Sequence, residues 1–405
     1  MSFSGWKEYQ LQDIIQFNPT ERITRGKVAK KIAMEKLQPF QKSIAGYEQA
    51  EYRGGTKFKN GDTLFARITP CLENGKTAQV TILEENEVSF GSTEYIVLRE
   101  KTNKSHNDFI YYLSISPRFR DIAIKSMIGT SGRQRVQQNV LMNTMLPLPG
   151  LEEQKAIAAT LSCLDDKIEL NNRINKTLEE MAQAIFKSWF VDFEPFQDGE
   201  FEDSELGKIP KGWRVKSLDE IADFLNGLAM QKHRPIDELE KYLPVIKIKE
   251  LNQGFTDANS DKASISVPKK YIIQNGDVIF SWSGTLMVKI WCGGTGGLNQ
   301  HLFKVTSDKY EKWFYYLWTL HYIDKFRAIA RDRATTMGHI RRSHLSESKV
   351  IIPSRADIEM MNDTMEPIFN HLILFNLQNE KLKTTKDTLL PKLMSGEIRV
   401  PLKEA

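Results

Sequence analysis

An internal duplication is the feature that most constrains how this chain of 405 residues can fold. Short matching stretches recur along its two halves in the same order and at nearly constant spacing. A single match of this kind would be chance, whereas an ordered set indicates a repeated structural unit. The matches are Gly5-Trp6 with Gly212-Trp213 (offset 207), Asn60-Gly61-Asp62 with Asn275-Gly276-Asp277 (offset 215), Tyr111-Tyr112-Leu113 with Tyr315-Tyr316-Leu317 (offset 204), and Pro149 with Pro353 (offset 204).

Each repeat begins with a globular block in which short β-branched runs alternate with polar turns. Strands are predicted over 95–98 and 278–280, and amphipathic helices over 108–128 and 311–331. Each block is therefore expected to be a small mixed α/β module.

Each repeat ends with a long helix whose apolar residues recur in steps of three and four. Such spacing predicts the narrow seam of a coiled coil. The expected seam residues are Ile157, Leu161, Leu164, Ile168, Asn175 and Leu178 in the first helix, and Met365, Ile368, Leu372, Phe375, Asn379 and Leu382 in the second.

The two helices are expected to pair with each other and to run antiparallel, because the second must return along the first for a pseudo-two-fold repeat to close. About 38 residues from Leu151 would span roughly 57 Å at 1.5 Å per residue. Asn175 and Asn379 occupy equivalent seam positions, where they either fix the register or lie at the solvent edge. Pro391 is expected to end or kink the second helix.

These patterns predict an α+β chain in which the paired helices hold two similar modules apart. The composition and the hydrophobic pattern change near residues 150, 204 and 350. The expected segments are a first globular domain at 1–150, a central helical spacer and linker at 151–204, a second globular domain at 205–350, and a C-terminal helical spacer at 351–405.

The net charge of +4 hides an uneven distribution along these segments. The two globular segments carry +6 and +7, whereas the two helical segments carry −8 and −1. Blocks of opposite sign indicate different partners for different parts of a chain, and basic modules favour a polyanion.

The composition also indicates in which cellular compartment the protein is expected. A hydrophobic fraction of 40% is ample for buried cores, and no apolar run approaches the roughly 18–20 residues that cross a bilayer. Cys71, Cys163 and Cys292 are too far apart to suggest a zinc cluster or a disulfide framework. A soluble, cytoplasmic protein without a metal site is therefore expected.

Motifs for catalysis are incomplete in this sequence. The glycine-rich stretch 293–297 lacks the Lys-Ser/Thr ending of a phosphate loop. Glu153-x-Lys155 and Glu347-x-Lys349 lack the Pro-Asp dipeptide that usually completes a nuclease motif, and Asn18-Pro19-Thr20 lacks the remainder of an adenine methyltransferase signature. No catalytic residue is expected.

Several short motifs are spread in order over essentially the whole chain. They are Arg67-Ile-Thr-Pro70, Asn74-Gly-Lys76 and Gly91–Leu98 in the first block, Ser281-Trp-Ser-Gly284, Trp291 and Gly297–Lys304 in the second, Pro147-Leu-Pro149 with Glu153-Gln154 at the first helix, and Leu390–Ile398 at the end of the second. Together these motifs resemble the specificity (S) subunits of type I restriction–modification systems. One departure from the family's pattern is that the second helix has Asp357-Ile358 in place of the Glu-Gln pair.

The resemblance implies a non-catalytic DNA reader with two target-recognition domains, each reading one half of a split, asymmetric site on double-stranded DNA. It also implies that the helices set the gap and dock two methyltransferase (modification) subunits, which restriction/translocase subunits join. S-adenosylmethionine, ATP and Mg would then be bound by those partners and not by this chain. The alternative is a stand-alone, two-headed DNA- or ligand-binding scaffold that does not assemble with an enzyme.

Basic and polar loops precede the long helix in both repeats and are the expected DNA face. Glycine permits close approach of the backbone, arginine can pair with guanine, and glutamine or asparagine can pair with adenine. Arg133 and Arg341 are expected to lie at the duplex. The full set of candidates is Arg67, Lys76, Thr130, Arg133, Gln134, Arg135 and Gln137 in the first domain, and Lys289, Asn299, Gln300, His301, Arg331, Arg333, Thr335, His339, Arg341 and Arg342 in the second.

Overall fold

A computed structural model of the chain describes residues 5–130, 132–237, 239–332 and 338–401. The chain divides into two compact units, which we call unit 1 (Met1–Glu169 with Leu382–Ala405) and unit 2 (Leu170–Lys381). The division passes through both long helices, so each unit contains a segment of each. The four segments expected from the sequence stay a prediction.

Unit 1 contains a mixed α/β module. Its elements, followed by the long helix α5 that continues into unit 2, are β1 (Lys7–Gln10), α1 (Leu11–Ile14), β2 (Ile15–Phe17), β3 (Val28–Ile32), β4 (Glu48–Glu51), β5 (Thr56–Phe58), β6 (Thr63–Ala66), β7 (Thr77–Gln79), β8 (Ser89–Gly91), β9 (Tyr95–Glu100), α2 (Asn107–Ile115), α3 (Pro117–Lys125), α4 (Gln138–Asn143), β10 (Met145–Leu148) and α5 (Leu151–Phe190).

Unit 2 contains a second module of the same kind. Its elements, ending with the long helix α11 that returns into unit 1, are β11 (Phe201–Ser204), β12 (Gly207–Pro210), β13 (Arg214–Ser217), α6 (Leu218–Ile221), β14 (Asp223–Asn226), β15 (Tyr242–Ile246), α7 (Ile248–Gln253), β16 (Lys262–Ser264), β17 (Ile272–Ile273), β18 (Val278–Ser281), β19 (Met287–Ile290), β20 (Gly296–Leu298), β21 (Leu302–Thr306), α8 (Lys312–His321), α9 (Ile323–Asp332), α10 (Arg342–Ser346), β22 (Lys349–Ile352) and α11 (Arg355–Ser395).

The two modules have the same sheet topology. Unit 1 has sheets in the order β2-β9-β6-β7 and β4-β3-β8-β5 with a two-stranded pair β1-β10, and unit 2 repeats these as β14-β21-β18-β19, β16-β15-β20-β17 and β13-β22. A parallel pairing of strands recurs as well, as β3 with β8 and as β15 with β20. The duplication predicted from the sequence is therefore a duplication of fold, to which unit 2 adds elements that include the hairpin β11-β12 and helix α7.

In unit 1 the module packs on both long helices. Ile157, Ala158 and Leu161 of α5 share a buried cluster with Leu390 and Leu393 of α11 and with α2. Arg399, beyond the end of α11, forms an ion pair with Glu153 near the start of α5. Because Lys386 meets Asp165 further along, the two helical segments run antiparallel, as predicted.

In unit 2 an aromatic core joins its module to both helices. The ring of Trp313 on α8 lies 6.3 Å from that of Trp189 on α5, and its indole nitrogen donates to Asn362 on α11 at 2.8 Å. Phe186 and Phe190 of α5 pack in the same cluster. The aromatic stretches of the sequence thus form a core.

The repeated Gly-Trp pair at the start of each module anchors it to a carboxylate near the start of a long helix. The indole of Trp6 donates to Glu153 at 3.2 Å, and the indole of Trp213 donates to Asp357 at 2.8 Å. Asp357 therefore takes the place of Glu153 in an internal contact, although the neighbouring Gln154 has been replaced by Ile358.

Both predicted helices that follow the sheets are wrong in their extent, since each consists of two helices. The predicted helix over 108–128 breaks at Ser116, which is extended because Pro117 follows it and disfavours helical geometry at the preceding residue. The Ser116 hydroxyl then caps α3 by accepting from the backbone of Phe119. The predicted helix over 311–331 divides at Tyr322 into α8 and α9.

Of the two outcomes expected at Pro391, an end of the second long helix is wrong, and a kink there stays a prediction. Helix α11 continues to Ser395 and stops at Gly396, whose φ of +75° is readily adopted by glycine. Leu390, Leu393 and Met394 on either side of the proline are buried in the core of unit 1. Packing of these side chains outweighs the backbone hydrogen bond that proline removes.

The predicted seam lies along the packed faces of the helices. Both Asn175 and Asn379 are buried, which contradicts the solvent-edge alternative. Fully or nearly buried seam residues are Ile157, Leu161, Met365, Ile368 and Leu372, and half-buried ones are Leu164, Ile168, Leu178, Phe375 and Leu382. Within the described residues, no helix is both long enough and apolar enough to cross a membrane.

Candidate nucleic-acid interface

In unit 1 the loop that follows β6 meets the loop that precedes α4. The backbone nitrogen of Thr69 donates to the carbonyl of Gln134 at 3.0 Å, and that of Val136 donates to the carbonyl of Arg67 at 2.8 Å. The Thr69 hydroxyl also accepts from the backbone of Gln134 at 3.0 Å. We call this arrangement the loop crossing. It brings together candidate residues that are 67 positions apart in the sequence.

A short hairpin carries the exposed tip of the crossing. Ile128 and Arg135 exchange backbone hydrogen bonds of 3.0 and 2.9 Å, and Arg133 donates to the carbonyl of Thr130 at 3.0 Å. Gly129 and Gly132 adopt φ angles of +131° and +79°, which only glycine adopts at little cost. The glycines of this stretch therefore form the turn that exposes Thr130 and Arg133.

An acidic residue lies at the centre of the crossing between two arginines. Glu94 accepts hydrogen bonds from Nε of Arg135 at 3.0 and 3.1 Å and from Nη2 at 2.7 Å. Nε of Arg67 lies 3.9 Å from the same carboxylate and is buried with no hydrogen-bond partner among the described residues. Sequence reasoning missed Glu94, although it lies in the Gly91–Leu98 motif.

The ion pair shifts both protonation equilibria. The hydrogen bond from Arg135, opposed by burial and helped by the charges of both arginines, lowers the pKa of Glu94 below its usual range. The same hydrogen bond raises the pKa of Arg135. The carboxylate is therefore ionised at neutral pH and keeps the guanidinium in place.

Unit 2 has the same loop crossing with the same backbone hydrogen bonds. The backbone nitrogen of Gly284 donates to the carbonyl of Gly338 at 2.9 Å, and that of Ile340 donates to the carbonyl of Trp282 at 3.1 Å. These bonds correspond to Thr69 with Gln134 and to Val136 with Arg67, at the offsets of 215 and 204 residues found in the sequence. The crossing is a repeated feature of the fold.

The side chains at the crossing of unit 2 are aromatic instead of ionic. The ring of Trp282 lies 6.0 Å from that of His301 and 6.3 Å from that of His339. Nδ1 of His301 lies 3.1 Å from the hydroxyl of Ser283, and the indole of Trp282 donates to Asn226 at 3.0 Å. His301 and His339, both predicted candidates, are thus neighbours in the structure.

Strand register shows which individual residues of the two crossings correspond. Ala66 pairs with Tyr95 in unit 1, and Ser281 pairs with Leu302 in unit 2. The residue before Tyr95 is Glu94, and the residue before Leu302 is His301. Three positions therefore correspond: Arg67 with Trp282, Glu94 with His301, and Arg135 with His339.

Two candidates of unit 1 have other contacts. The ammonium group of Lys76 donates to the carbonyl of Met34 at 3.0 Å. The backbone of Gln137 donates to the hydroxyl of Ser126 at 3.3 Å, so this residue ties the start of α4 to the end of α3. Both side chains are half-buried.

In unit 2, Lys289 and Asn299 have internal roles. Burial lowers the pKa of Lys289, whose ammonium group donates to the carbonyl of Asn252 at 2.8 Å. Asn299 is buried and accepts from the backbone of His301 at 3.3 Å, so it shapes the turn before β21. Gln300 lies in the same turn, 3.3 Å from Nε2 of His301.

The basic candidates of the last loop differ in exposure and in contacts. Arg331, His339 and Arg341 are exposed. Arg342 is fixed, because its guanidinium donates to the carbonyl of Phe224 at 3.0 Å and lies over the ring of Phe303. Arg333 and Thr335 lie outside the described residues. Among the residues that are described, no group of three or more His, Cys, Asp or Glu could hold a metal ion.

Comparison with known proteins matches both repeats to one family. The family model described as type I restriction modification DNA specificity domain matches residues 4–180 and 210–384. The type I restriction enzyme MjaIX specificity subunit of Methanocaldococcus jannaschii is 30% identical over 303 residues, which cover 73% of this chain and 69% of that protein. The type I restriction enzyme HindI specificity subunit of Haemophilus influenzae is 25% identical over an alignment of 472 residues, which covers 98% of this chain and 100% of that protein.

One solved structure supports the fold. The crystal structure of the type I restriction–modification system S subunit from M. genitalium aligns with a TM-score of 0.53 at 14% identity, over 96% of each chain. At this level of identity the likeness concerns the fold alone.

Proposed function

We propose that this chain, which belongs to the type I restriction modification DNA specificity family, reads a split, asymmetric DNA site, with one half-site for each unit. The observation that carries the proposal is the loop crossing that recurs in both units with the same backbone hydrogen bonds. Each crossing displays polar, charged or aromatic side chains on a fixed scaffold, and the two sets differ. Two similar scaffolds with different side chains suit the reading of two different half-sites.

The charge distribution supports DNA as the ligand. Net charges of +6 and +7 fall on the two globular segments, and lysine and arginine supply affinity by neutralising phosphates. Sequence is read by a smaller number of contacts to base edges. Exposed Arg133 in unit 1 and Arg341 in unit 2 are proposed to lie against the duplex.

The long helices are proposed to set the distance between the half-sites and to dock two methyltransferase subunits. Helices α5 and α11 have 40 and 41 residues, and each unit packs its module against both of them. Two readers on one face of a duplex need half-sites about 34–36 Å apart, one helical turn of DNA. A rigid helical pair is suited to hold such a distance.

Catalysis is proposed to belong to the partners. Methylation of adenine and DNA cleavage would be carried out by the methyltransferase and restriction/translocase subunits, which would bind S-adenosylmethionine, ATP and Mg. This chain would contribute DNA recognition in the cytoplasm without a catalytic residue or a cofactor of its own.

Methylome sequencing of the source organism, with and without this chain, tests the proposal. We expect a split adenine-methylation motif that disappears when the chain is removed and returns when it is supplied again. An unchanged methylome would favour the alternative, a two-headed scaffold that does not assemble with an enzyme.

A further inference from the structure

The three corresponding positions of the loop crossings carry different chemistry in the two units. Unit 1 has Arg67, Glu94 and Arg135, whereas unit 2 has tryptophan and two histidines. The backbone around them is hydrogen-bonded in the same way in both units. The side chains at these positions are therefore not required by the fold of the crossing.

Glu94 is unexpected in a site for a polyanion, because a carboxylate repels phosphate. Two arginines without the acid would attract the DNA backbone more strongly than the same pair with it. The carboxylate thus opposes general affinity for DNA. The presence of Glu94 at the centre of the site therefore calls for an explanation other than general affinity for DNA.

The hydrogen bonds between Glu94 and Arg135 give such an explanation. Glu94 binds Nε and one Nη2 proton of Arg135, which leaves the Nη1 edge of the guanidinium unbound by the carboxylate. The Arg135 side chain is 43% exposed, whereas that of Glu94 is 24% exposed. Glu94 therefore holds one edge of the Arg135 guanidinium, and Arg135 is the more exposed of the two side chains.

Fixing a flexible side chain before binding removes part of the entropy cost of ordering it in the complex. Arginine recognises guanine through O6 and N7 in the major groove, and this recognition depends on the orientation of the planar group. A phosphate contact has no such requirement, because phosphate accepts hydrogen bonds from many directions.

We propose that Glu94 is a specificity-determining positioning residue that orients Arg135 to read a guanine in the half-site of unit 1. This inference rests on the proposed function. In unit 2 the corresponding position is His301, which lies beside His339 and Trp282. A substitution of Glu94 changes unit 1 alone, so the half-site read by unit 2 serves as an internal reference.

The test uses the full chain, expressed from its own locus in place of the wild type, so that it assembles with its natural partners. The variants are Glu94→Gln, which removes the charge but keeps the shape, Glu94→Asp, which keeps the charge, and Arg135→Lys, which keeps the charge but loses the fork. The readouts are the methylation motif and the binding of duplexes in which each base pair of half-site 1 is changed in turn.

We expect Arg135→Lys and Glu94→Gln to relax the preference at the same single base pair, with discrimination reduced on the order of 10- to 100-fold. Glu94→Asp should retain more of the preference than Glu94→Gln. Half-site 2 and the spacing should not change in any variant, which also shows that the protein is folded.

A matched control is the exposed pair of Arg53 and Glu51, whose Nη2 and Oε2 lie 2.9 Å apart on the edge of the other sheet of unit 1. Glu51→Gln releases an arginine in the same way and should leave the motif unchanged.

Three results would overturn the inference. Relaxation in Arg135→Lys with full selectivity in Glu94→Gln would show that the acid does not position the arginine. Equally tighter binding of all sequences by Glu94→Gln would show a purely electrostatic effect. Relaxation at two different base pairs would show that the residues act separately. Failure of the proposed function itself is distinct, since the wild-type chain would then produce no split motif.

Discussion

Lys386 on α11 and Asp165 on α5 form a buried ion pair in unit 1. Nζ of Lys386 lies 2.5 Å from Oδ1 of Asp165, and the two side chains are only 7% and 10% exposed. The other carboxylate oxygen accepts a hydrogen bond from the hydroxyl of Tyr112 at 2.7 Å. The module is thus joined to both long helices through one carboxylate.

The corresponding positions in unit 2 carry aromatic and apolar side chains instead of an ion pair. At the offset of 204 residues, Tyr112 corresponds to Tyr316, Asp165 to Phe369 and Lys386 to Ala182. The rings of Tyr316 and Phe369 pack edge to face with centroids 5.5 Å apart, and Ala182 belongs to the same buried cluster.

Removing one member of the ion pair is expected to destabilise unit 1. Lys386→Ala leaves a buried carboxylate without its cation, which typically costs about 3–5 kcal/mol. The double variant Asp165→Phe with Lys386→Ala copies unit 2 and should lie within about 2 kcal/mol of wild type. Hydrogen exchange over Asn107–Ile115, measured by mass spectrometry, reports the stability of this unit. Equal destabilisation by both variants would contradict the comparison.

Replacing each of the two seam asparagines with leucine is expected to change the free energy of unfolding differently. Asn379 accepts from the amide of Asn171 at 2.9 Å and donates to Asn172 at 2.8 Å, and the Asn171 amide also donates to Gln378 at 2.8 Å. Asn379→Leu therefore leaves one proton of the buried Asn171 amide without its acceptor and should cost about 1–3 kcal/mol. Both polar side-chain atoms of Asn175 are buried without a partner in the described parts of the chain, so Asn175→Leu should be neutral or stabilising. Denaturant midpoints from tryptophan fluorescence, which reports mostly on unit 2, distinguish these outcomes. A larger loss in Asn175→Leu would be the contrary result.

Alanine substitution of Arg133 and Arg341 tests whether the loops before α4 and α10 lie on DNA. If Arg133 reads guanine, Arg133→Ala should cost roughly 1–3 kcal/mol in binding and relax one base; if it contacts phosphate, only the salt dependence should become less steep. The measurement is binding to the methylated motif over a range of salt concentrations, together with the methylome. Unchanged affinity and specificity in both variants would remove these residues from the interface.

A four-residue insertion in one long helix tests its proposed role as a spacer. One added turn lengthens a helix by about 5.4 Å, which corresponds to between one and two base-pair steps of DNA. We expect the methylation motif to keep both half-sites and to change the gap between them. A variant that still methylates the original spacing would refute the spacer role.

Cysteine labelling tests the burial of Cys292. Burial raises the pKa of its thiol to about 11, so at pH 8 only about one molecule in a thousand carries the reactive thiolate. Cys163 is exposed on α5. Iodoacetamide at pH 8 should therefore alkylate Cys163 first and reach Cys292 only after unfolding or as the pH rises toward 11. Comparable rates for both, read by peptide mass spectrometry, would show that Cys292 is accessible.

Much of the fold could be predicted because the chain contains the same structural unit twice. A match such as Tyr111 with Tyr315 carries little information alone, but its order among the others defined two modules and two helices. Two local predictions were wrong for reasons that the structure shows, one because of packing and one because of a proline. Helix α11 passes through Pro391 since the leucines beside it are buried, whereas Ser116 ends α2 because a proline follows.

The candidate site was predictable in its loops and not in its partners. Glycine and arginine near Gly129 and Arg133 indicated a basic and polar loop, and in the structure both glycines of this loop adopt positive φ. Glu94 was missed because sequence spacing does not show that strand β9 begins beside Arg135, 41 residues away. Its correspondence with His301 follows only from strand register.

The loop crossings are held by main-chain amides and carbonyls, from Thr69 to Gln134 and from Gly284 to Gly338. Such bonds do not depend on which side chains are attached. Natural selection can therefore exchange the residues displayed there one at a time without dismantling their support. Under the proposed function, a change of the recognised half-site therefore requires few mutations.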